Sequence, residues 1–357
     1  MRHHFCTYFD RNYLTRGLAL IESLTRHCED FTIYVVCMDE YTRVVLNELK
    51  IPSVKTIPFH EVERSDPDLV ACRHTRKVVE YIWTSTPAII SHVLDRFPEV
   101  ERLVYVDADL YFFSDPSVIY KEMGSKTVLI HEHRFHERNK HLAQHGTFNV
   151  GLLVFANTPT AREVLRDWRL RCIEWCHDYV EDGKFGDQGY LDAWATKFPQ
   201  VLVTKNHGVG VAPWNQENYH YSVNARGEPC VDGTPIVFYH YHSFKIVHPE
   251  VFVPAPDPAW QMPAECVKLC FIPYIEAIRR AHACVESVVG EFPFGYATSS
   301  FSFSLNQVVL SSASLTGQLQ KIGLSQPVAA IDTTWVVFQG GQWRAQGNDR
   351  VVAMLRA

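Results

Sequence analysis

The segment 103–113 constrains the fold more than any other part of the chain, because an apolar run in it ends in two acids. Leu103–Val106 is hydrophobic at every position, as expected for a strand of a parallel sheet that is covered on both faces. Asp107 and Asp109 follow, and side chains two apart in an extended chain point to the same side. Ligands of open α/β sheets bind at this end of the strands. The pair is therefore predicted to bind one divalent cation, the alternative being a chance D-x-D in a solvated turn.

Strand-like and helix-like segments alternate at the start of the chain. Short apolar runs are followed by segments with apolar residues near the helical period, and Asp39 is a suitable N-cap for the second helix. This β-α-β-α-β order predicts an α/β fold with a doubly wound, mostly parallel sheet flanked by helices. The predicted elements are strands at 5–9, 31–38 and 54–58 and helices at 13–26 and 39–49.

Three later helices are predicted from the same spacing. Pro87 is placed in the first turn of a helix at 87–97, a position that proline tolerates. A long helix is predicted at 159–179, and a further helical stretch at 263–289 with a break at Pro273.

A proline-rich connector at 253–258 marks the predicted domain boundary. It separates a main domain, 1–252, from a C-terminal helical and mixed appendage, 253–357. From Gly290 onward the composition changes to Ser, Phe, Gln and small apolar residues, with strand-like runs at 335–338 and 351–352.

Composition excludes some classes of protein. The chain has 357 residues, 46% hydrophobic and 21% charged, with a net charge of −6, which argues against a nucleic-acid-binding protein. Its ten cysteines contain no C-x-x-C pair, so free thiols in a reducing cytoplasm are expected. No segment resembles a signal peptide or is apolar over the length of a membrane span.

Polar residues interrupt two further apolar segments. Asn149 and Gly151 lie inside the predicted strand 148–155, where a glycine indicates a bulge or the close approach of another group. Asp187 and Gln188 open a predicted helix. Asp187 is interpreted either as an N-cap or as a carboxylate beside a substrate.

The strand predicted at 236–239 ends in His240 and His242, with Lys245 close behind. Two histidines and a lysine at a strand end are consistent with a metal ligand and a phosphate contact, although histidine pairs are also common as structural residues.

A second histidine pair, His131 and His133, follows the strand predicted at 127–130. Zinc is conceivable there, but a polar loop that contacts a substrate is the preferred interpretation.

Taken in chain order, these motifs resemble the GT-A-fold glycosyltransferases of the glycogenin and bacterial lipopolysaccharide galactosyltransferase type. They are still more similar to bacterial nucleotide-diphospho-sugar transferases of polysaccharide clusters. The resemblance covers roughly residues 5–250. No single motif is specific to this family, but the occurrence of five motifs in this order is specific. The motifs are Thr7-Tyr8-Phe9 with Tyr13, Asp107-x-Asp109, Phe148-Asn149-x-Gly151, Asp187-Gln188, and His240-x-His242-Ser243 with Lys245.

The resemblance implies a role for each motif. A cation would be held by the two aspartates and a histidine, with His240 favoured over His242 by the alignment. Ser243 replaces the family glycine and Lys245 comes one residue early, which weakens the expected phosphate contact. The implied nucleotide and diphosphate contacts are Thr7, Tyr8, Tyr13, Asp107 and Lys245, and the residues along the donor sugar are Asn149, Asp187 and Gln188.

The residue types suit glycosyl transfer. A cation held by Asp107, Asp109 and a histidine can neutralise the charge that develops on a nucleoside diphosphate leaving group. Mixed carboxylate and imidazole ligation favours Mn²⁺ over Mg²⁺. The resemblance further implies a nucleotide-sugar donor, a UDP-sugar, a cell-surface glycan or lipid-linked acceptor, and transfer with retention. The expected location is the bacterial cytoplasm, with peripheral contact at the inner face of the membrane.

Two other functions fit parts of the pattern. A sugar-1-phosphate nucleotidyltransferase would carry a glycine-rich basic loop after the first strand, where this chain has Asp10-Arg11-Asn12-Tyr13. A non-catalytic nucleotide-sugar-binding protein on the same fold would not need the intact acidic pair.

Overall fold

The computed structural model describes residues 2–249, 251–254, 260–297, 310–312, 335–339 and 342–346. Strands run through the whole of this part of the chain. They are β1 (His3–Phe9), β2 (Phe31–Cys37), β3 (Val54–Pro58), β4 (Arg102–Val106), β5 (Leu110–Phe112), β6 (Val128–Glu132), β7 (Phe148–Ala156), β8 (Val201–Val203), β9 (Tyr221–Val223), β10 (Pro229–Val231), β11 (Thr234–Pro235), β12 (Phe238–His240), β13 (Lys245–His248), β14 (Val251–Val253), β15 (Leu310–Ser312), β16 (Trp335–Gln339) and β17 (Gln342–Gln346).

Helices alternate with the strands in the first half of the chain and return near its end. They are α1 (Leu14–His27), α2 (Glu40–Leu49), α3 (Phe59–Ser65), α4 (Pro67–Cys72), α5 (Val78–Arg96), α6 (Ser117–Met123), α7 (Pro159–Glu174), α8 (Trp194–Lys197), α9 (Ala264–Cys266) and α10 (Ile272–Val289). Short 3₁₀ segments lie at Arg73–Thr75, Glu137–His145, Gln188–Ala193 and Gln216–Asn218, and a π-helical turn, Val267–Phe271, joins α9 to α10.

A seven-stranded sheet in the order β3-β2-β1-β4-β7-β6-β8 forms the centre of the fold. Four of its six neighbouring pairs are parallel, and β7 runs antiparallel to both β4 and β6. The predicted mostly parallel α/β sheet is therefore confirmed. The reversal at β7 places the start of β7 beside the end of β4, so Asn149 and Gly151 reach the edge at which Asp107 lies.

Both faces of this sheet are covered, because alternate residues of each central strand enter different clusters. In β4, Leu103 and Tyr105 pack on the side of α5 and α7, whereas Val104 and Val106 pack on the side of α1 and α10. Such double coverage explains why the strand is apolar at every position.

Two helix boundaries differ from those expected. Pro87 lies inside α5, which begins at Val78 rather than at the proline. The N-terminal signal was Glu80, whose carboxylate accepts the backbone N–H of Lys77 at 2.7 Å. Helix α7 ends at Glu174, short of 179, because Trp175 adopts an extended conformation and its indole N–H donates to Glu181 at 2.9 Å.

The segment beyond the connector packs on the main sheet layer. Ala281 and Val285 of α10 lie in the same cluster as Leu18 of α1, and Arg280 pairs with Glu22 at 2.8 Å. Strands β13 to β17 form a second, antiparallel sheet. Part of the connector, 255–259, and the strand-like run at 351–352 lie outside the described residues, and the boundary at 252 stays a prediction.

Two further expectations from the sequence concern membrane-spanning segments and the state of the cysteines. None of these helices is long and apolar enough to cross a membrane. All ten cysteines are free, and most are buried.

Candidate functional site

The pairing of two short strands assembles the centre of the site. β5 begins directly after Asp109, and β12 pairs with it antiparallel so that His240 lies opposite Leu110. The backbone N–H of Tyr241 also donates to the carbonyl oxygen of Asp109 at 2.9 Å. The imidazole of His240 is thereby fixed beside the two carboxylates, although more than a hundred positions separate them along the chain.

Asp107 and Asp109 lie in a turn rather than in the extended chain that we expected. The N–H of Leu110 donates to the carbonyl oxygen of Asp107 at 3.2 Å, which closes the turn. The side chains still converge. One ligand atom from each of Asp107, Asp109 and His240 lies within 4.8 Å of the others, and these three form the one such group among the described residues. His242 lies outside it.

Asn149 fixes the tautomer of His240. Its Oδ1 accepts the backbone N–H of Gly151 at 2.9 Å, which identifies that atom as the oxygen. Because the same oxygen faces His240 Nδ1 at 3.2 Å, Nδ1 must carry the proton. The opposite atom, Nε2, faces Asp109 at 3.3 Å and Asp107 at 3.8 Å. A neutral His240 therefore directs a lone pair toward the carboxylates, as a metal ligand does.

The charges around His240 also favour a cation. Burial lowers the pKa of His240, but the carboxylates of Asp109 and Asp107 outweigh it and raise the pKa above the ordinary value. Without a proton or another cation, two carboxylates would face a lone pair across less than 4 Å. A metal ion bound by the three groups replaces that proton, so the donor set fits a divalent metal.

Gly151 explains the glycine within β7. A Cβ at this position would lie 2.7 Å from His240 Nδ1 and 2.6 Å from Asn149 Oδ1. The expected close approach of another group is therefore that of the His240 ring.

The triad lies at the floor of a cavity of about 740 Å³. Most of the residues predicted to contact the donor or to bind the metal line this cavity: Tyr8, Tyr13, Asp107, Asp109, Asn149, Asp187, Gln188, His240 and His242. Thr7 and Lys245 do not. Thr7 is fully buried within β1, and Lys245 is half-buried at the start of β13. The assignment of these side chains to individual roles stays a prediction.

Asp187 does not cap the segment that follows it. Its carboxylate makes no capping hydrogen bond to the 3₁₀ turn Gln188–Ala193 and instead accepts from the Thr86 hydroxyl at 3.0 Å. Its backbone carbonyl oxygen accepts the indole N–H of Trp168 at 2.8 Å, which holds the residue at the cavity wall. Burial and the nearby Asp107 carboxylate raise the pKa of Asp187 to about 7. A buried, perturbed carboxylate in a cavity is typical of a functional residue.

Several cavity residues had no sequence signal. Thr86 lies one position before Pro87 in α5 and bonds both to Asp187 and to the hydroxyl of Tyr8 at 2.9 Å. His133, by contrast, belongs to the second histidine pair expected from the sequence. It packs against Phe135 and contacts Asn149 at 3.1 Å, so it lies at the site but outside the group of Asp107, Asp109 and His240. Further aromatic residues that line the cavity are Phe9, Trp83, Tyr105, Phe185, Trp214 and Trp260.

A family model matches more than half of the chain. The family model described as glycosyl transferase family 8 matches residues 4–202. Two uncharacterised proteins of Bacillus subtilis strain 168 are similar. YfnD is 32% identical over 299 residues, 82% of this chain and 94% of YfnD, and YfnF is 33% identical over 250 residues, 68% of this chain and 82% of YfnF.

Solved structures with similar folds include the galactosyltransferase LgtC in complex with donor and acceptor sugar analogues. It is 14% identical, with a TM-score of 0.48, over 77% of this chain and 95% of LgtC. The apo form of mouse xyloside xylosyltransferase 1 is 13% identical, with a TM-score of 0.45, over 68% of this chain and 98% of that protein. The matched family model and the sheet order together confirm the expected GT-A fold.

Replacing Asn149 tests whether it holds His240 in the ligating tautomer. Asn149→Leu removes the acceptor for Nδ1, so we expect Mn²⁺ affinity to fall by about 10- to 100-fold, as is usual when a partner of a ligating histidine is lost. Asn149→Asp keeps an acceptor and should lose less. Calorimetric titration of both folded variants with Mn²⁺ measures this, and an unchanged affinity in Asn149→Leu would contradict the assignment.

The raised pKa of Asp187 makes stability depend on pH. The folded protein binds a proton here that the unfolded chain releases above about pH 4, so stability is lost as pH rises toward 7. In metal-free protein we expect Asp187→Asn to match the wild type near pH 4 and to exceed it by about 4 kcal/mol near pH 8, since the pKa differs by about three units between the folded and unfolded states. Urea unfolding at both pH values measures the difference. Asp182→Asn, in an exposed turn outside the cavity, is the control, and an equal difference at both pH values would refute the expectation.

Proposed function

The chain belongs to glycosyl transferase family 8 and is a glycosyltransferase, and we propose that it moves a sugar from a UDP-sugar to a glycan or lipid-linked acceptor of the cell surface. The observation that carries this proposal is the group formed by Asp107, Asp109 and His240 at the floor of the cavity. A cation at the leaving group stabilises the charge that develops on a nucleoside diphosphate during glycosyl transfer, and these residues offer one a site.

The three side chains would hold the metal, and we propose Mn²⁺ because an imidazole joins two carboxylates. When bound, the ion supplies charge neutralisation at the diphosphate leaving group. The protein's own part is to fix the ligands before the donor arrives. Asn149 holds His240, and the hydroxyl of Tyr105 donates to Asp107 at 2.6 Å.

The cavity is lined by residues that follow β1 and β2 as well as by Asp187 and Gln188. We assign the end lined by Asn12, Tyr13 and Met38 to the nucleoside, because it lies at the carboxyl ends of β1 and β2. The donor sugar then lies toward Asp187 and Gln188. The amide of Gln188 is held by a hydrogen bond from its nitrogen to the His145 carbonyl oxygen at 2.9 Å, which leaves its oxygen for the sugar side. Transfer with retention is part of the proposal.

An acceptor site completes the proposal. Trp214 and Trp260 line the cavity with His242 between them, at ring-centroid distances of 5.5 and 5.9 Å from that histidine. Aromatic faces of this kind stack on sugar rings. A lipid-linked acceptor would place the protein at the inner face of the cell membrane.

The proposal also extends to the charge of the donor sugar. Among the described residues the lining contains no lysine or arginine, but it does contain Asp10, Asp107, Asp109, Asp178 and Asp187. Apart from His240, which we assign to the metal, the histidines of the lining do not supply the missing charge, and burial lowers the pKa of His242 to about 4. Burial lowers the pKa of His133 to about 3, and burial also lowers that of His145. A sugar carboxylate in this cavity would have no cationic partner, which is costly for a desolvated charge. We therefore propose an uncharged donor sugar.

The metal-dependent donor site is tested with Asp109→Asn. A ligand that binds only the folded state raises the melting temperature, so a screen of nucleotide sugars with and without Mn²⁺ should give a metal-dependent increase for the true donor. We expect Asp109→Asn to lose that increase and Asp182→Asn to keep it. Slow hydrolysis of the same donor distinguishes an enzyme from a binding protein. An increase that survives in Asp109→Asn would place the donor elsewhere.

The charge preference is tested with paired donors. UDP-glucose and UDP-glucuronate, and likewise UDP-galactose and UDP-galacturonate, differ only in a carboxylate. We expect the better neutral donor to bind at least about tenfold more tightly than its uronate, a difference of about 1.4 kcal/mol. Competition calorimetry in the presence of Mn²⁺ measures it, and equal affinities would show that the sugar carboxylate finds a cation.

A further inference from the structure

Arg16, in the first turn of α1, is a buried cation without a carboxylate partner. Only 5% of the Arg16 surface is exposed to solvent. Among the described residues it forms no ion pair, and its hydrogen bonds all go to backbone carbonyl oxygens. A buried charge is costly unless something compensates it, so its retention at this position calls for an explanation.

The guanidinium joins three segments of the chain. Nη1 donates to Asn12 in the loop between β1 and α1 at 3.1 Å, and it lies 3.5 Å from the carbonyl oxygen of Gly295 beyond α10. Nη2 donates to the carbonyl oxygen of Phe244 at 3.1 Å, in the turn that follows His240 and His242. Only a planar fork with several donors makes such contacts at once.

The contact with Gly295 depends on its being glycine. Its φ of +85° is one that side chains rarely adopt, and a Cβ there would lie 2.7 Å from the carbonyl oxygen of Asn12. The segment beyond the connector is therefore pressed directly against the loop that we assign to the nucleoside.

Arg16 also supports a ring of the cavity. Its Cζ lies 4.8 Å from the ring centroid of Tyr13, a cation–π distance. Tyr13 is 43% exposed and lines the cavity. One face of the tyrosine thus rests on the guanidinium while the ring still borders the space assigned to the base.

We propose that Arg16 is a positioning residue for the nucleoside diphosphate: it holds the Asn12–Tyr13 loop and the turn at Phe244 on opposite sides of the donor, and its charge is compensated when the diphosphate binds. The inference rests on the proposed function for the identity of the ligand. Arg16 touches neither the metal ligands nor the assigned sugar residues, so it should affect donor binding more than the chemical step.

The test is calorimetric titration of UDP, in the presence of Mn²⁺, into Arg16→Met, Arg16→Lys and Gly295→Ala. We expect Arg16→Met to bind UDP at least about tenfold more weakly, and Arg16→Lys to recover part of the loss because it keeps the charge but not the fork. Gly295→Ala leaves Arg16 in place but displaces the Asn12 carbonyl, and it should also weaken binding. In donor hydrolysis KM should rise about tenfold while kcat changes less than about threefold.

Arg280→Met is the matched control. It removes an arginine that ties α10 to α1 through Glu22, on the exposed surface away from the cavity. We expect its affinity for UDP to equal that of the wild type.

If Arg16→Met binds UDP like the wild type while its melting temperature falls, the residue is only structural and the inference is overturned. If Arg16→Met does not fold, the affinities of Arg16→Lys and Gly295→Ala for UDP decide instead, and wild-type affinity in both would overturn the inference. If the wild type itself does not bind UDP with Mn²⁺, the proposed function fails, and the inference fails with it.

Discussion

The antiparallel pairing of β5 with β12 is the constraint on which the site depends. Each strand is only three residues long, yet their register places the His240 ring opposite the residue that follows Asp109. Such a contact between distant parts of the chain costs loop-closure entropy and must be supported by packing. Phe112 and Phe238 supply it, since their rings lie 5.7 Å apart within the core beneath the site. The ligand geometry is therefore anchored in the hydrophobic core and does not depend on a mobile loop.

The same region concentrates charge that folding alone would disfavour. Asp109 and Asp187 are buried, and Asp107 lies beside them. Thr86 and Tyr105 compensate Asp187 and Asp107 only with neutral hydrogen bonds, and Asp109 faces His240 at 3.3 Å. At Asp187 this unfavourable electrostatic environment raises the pKa of the carboxyl to about 7. Proteins retain unfavourable electrostatics of this kind where a ligand is to be bound, and a divalent ion would reverse the balance at the triad. The concentration of carboxylates therefore favours binding of a cation, and a bound cation would in turn attract an anionic donor.

The sequence predicted those parts of this arrangement that depend on local pattern. The apolar strand before Asp107, the cap at Asp39 and the polar residues at strand ends all follow from short-range chemistry, and the structure places them as expected. The start of α5 was predicted wrongly. Pro87 favours a helix that begins at the proline, whereas the structure begins the helix at Val78, where Glu80 caps it. Periodicity alone also gives no strand direction, so the reversal of β7 was invisible.

Contacts between distant residues formed the larger gap. Gly151 was recognised as the mark of a close approach, but the approaching ring, His240, could be named only from the structure. Thr86 and Arg16 had no signal, since a threonine or an arginine at helical spacing is ordinary. Their importance comes from partners that lie far away in the sequence, and a single sequence does not reveal such pairs.

The distribution of charge around the cavity gives the donor a direction. Two cations lie near the Tyr13 end of the cavity: Arg16, whose guanidinium lies over the Tyr13 ring, and Lys245, whose pKa is lowered by burial and by the Arg16 charge. The opposite side carries Asp187 with the aromatic rings, and no cation lines it among the described residues. The proposed donor, with a dianionic centre and an uncharged end, would match this charge distribution with its diphosphate between the triad and the Arg16 side and its sugar toward Asp187. In the proposed complex, the placement of charge would therefore orient the donor together with the shape of the cavity.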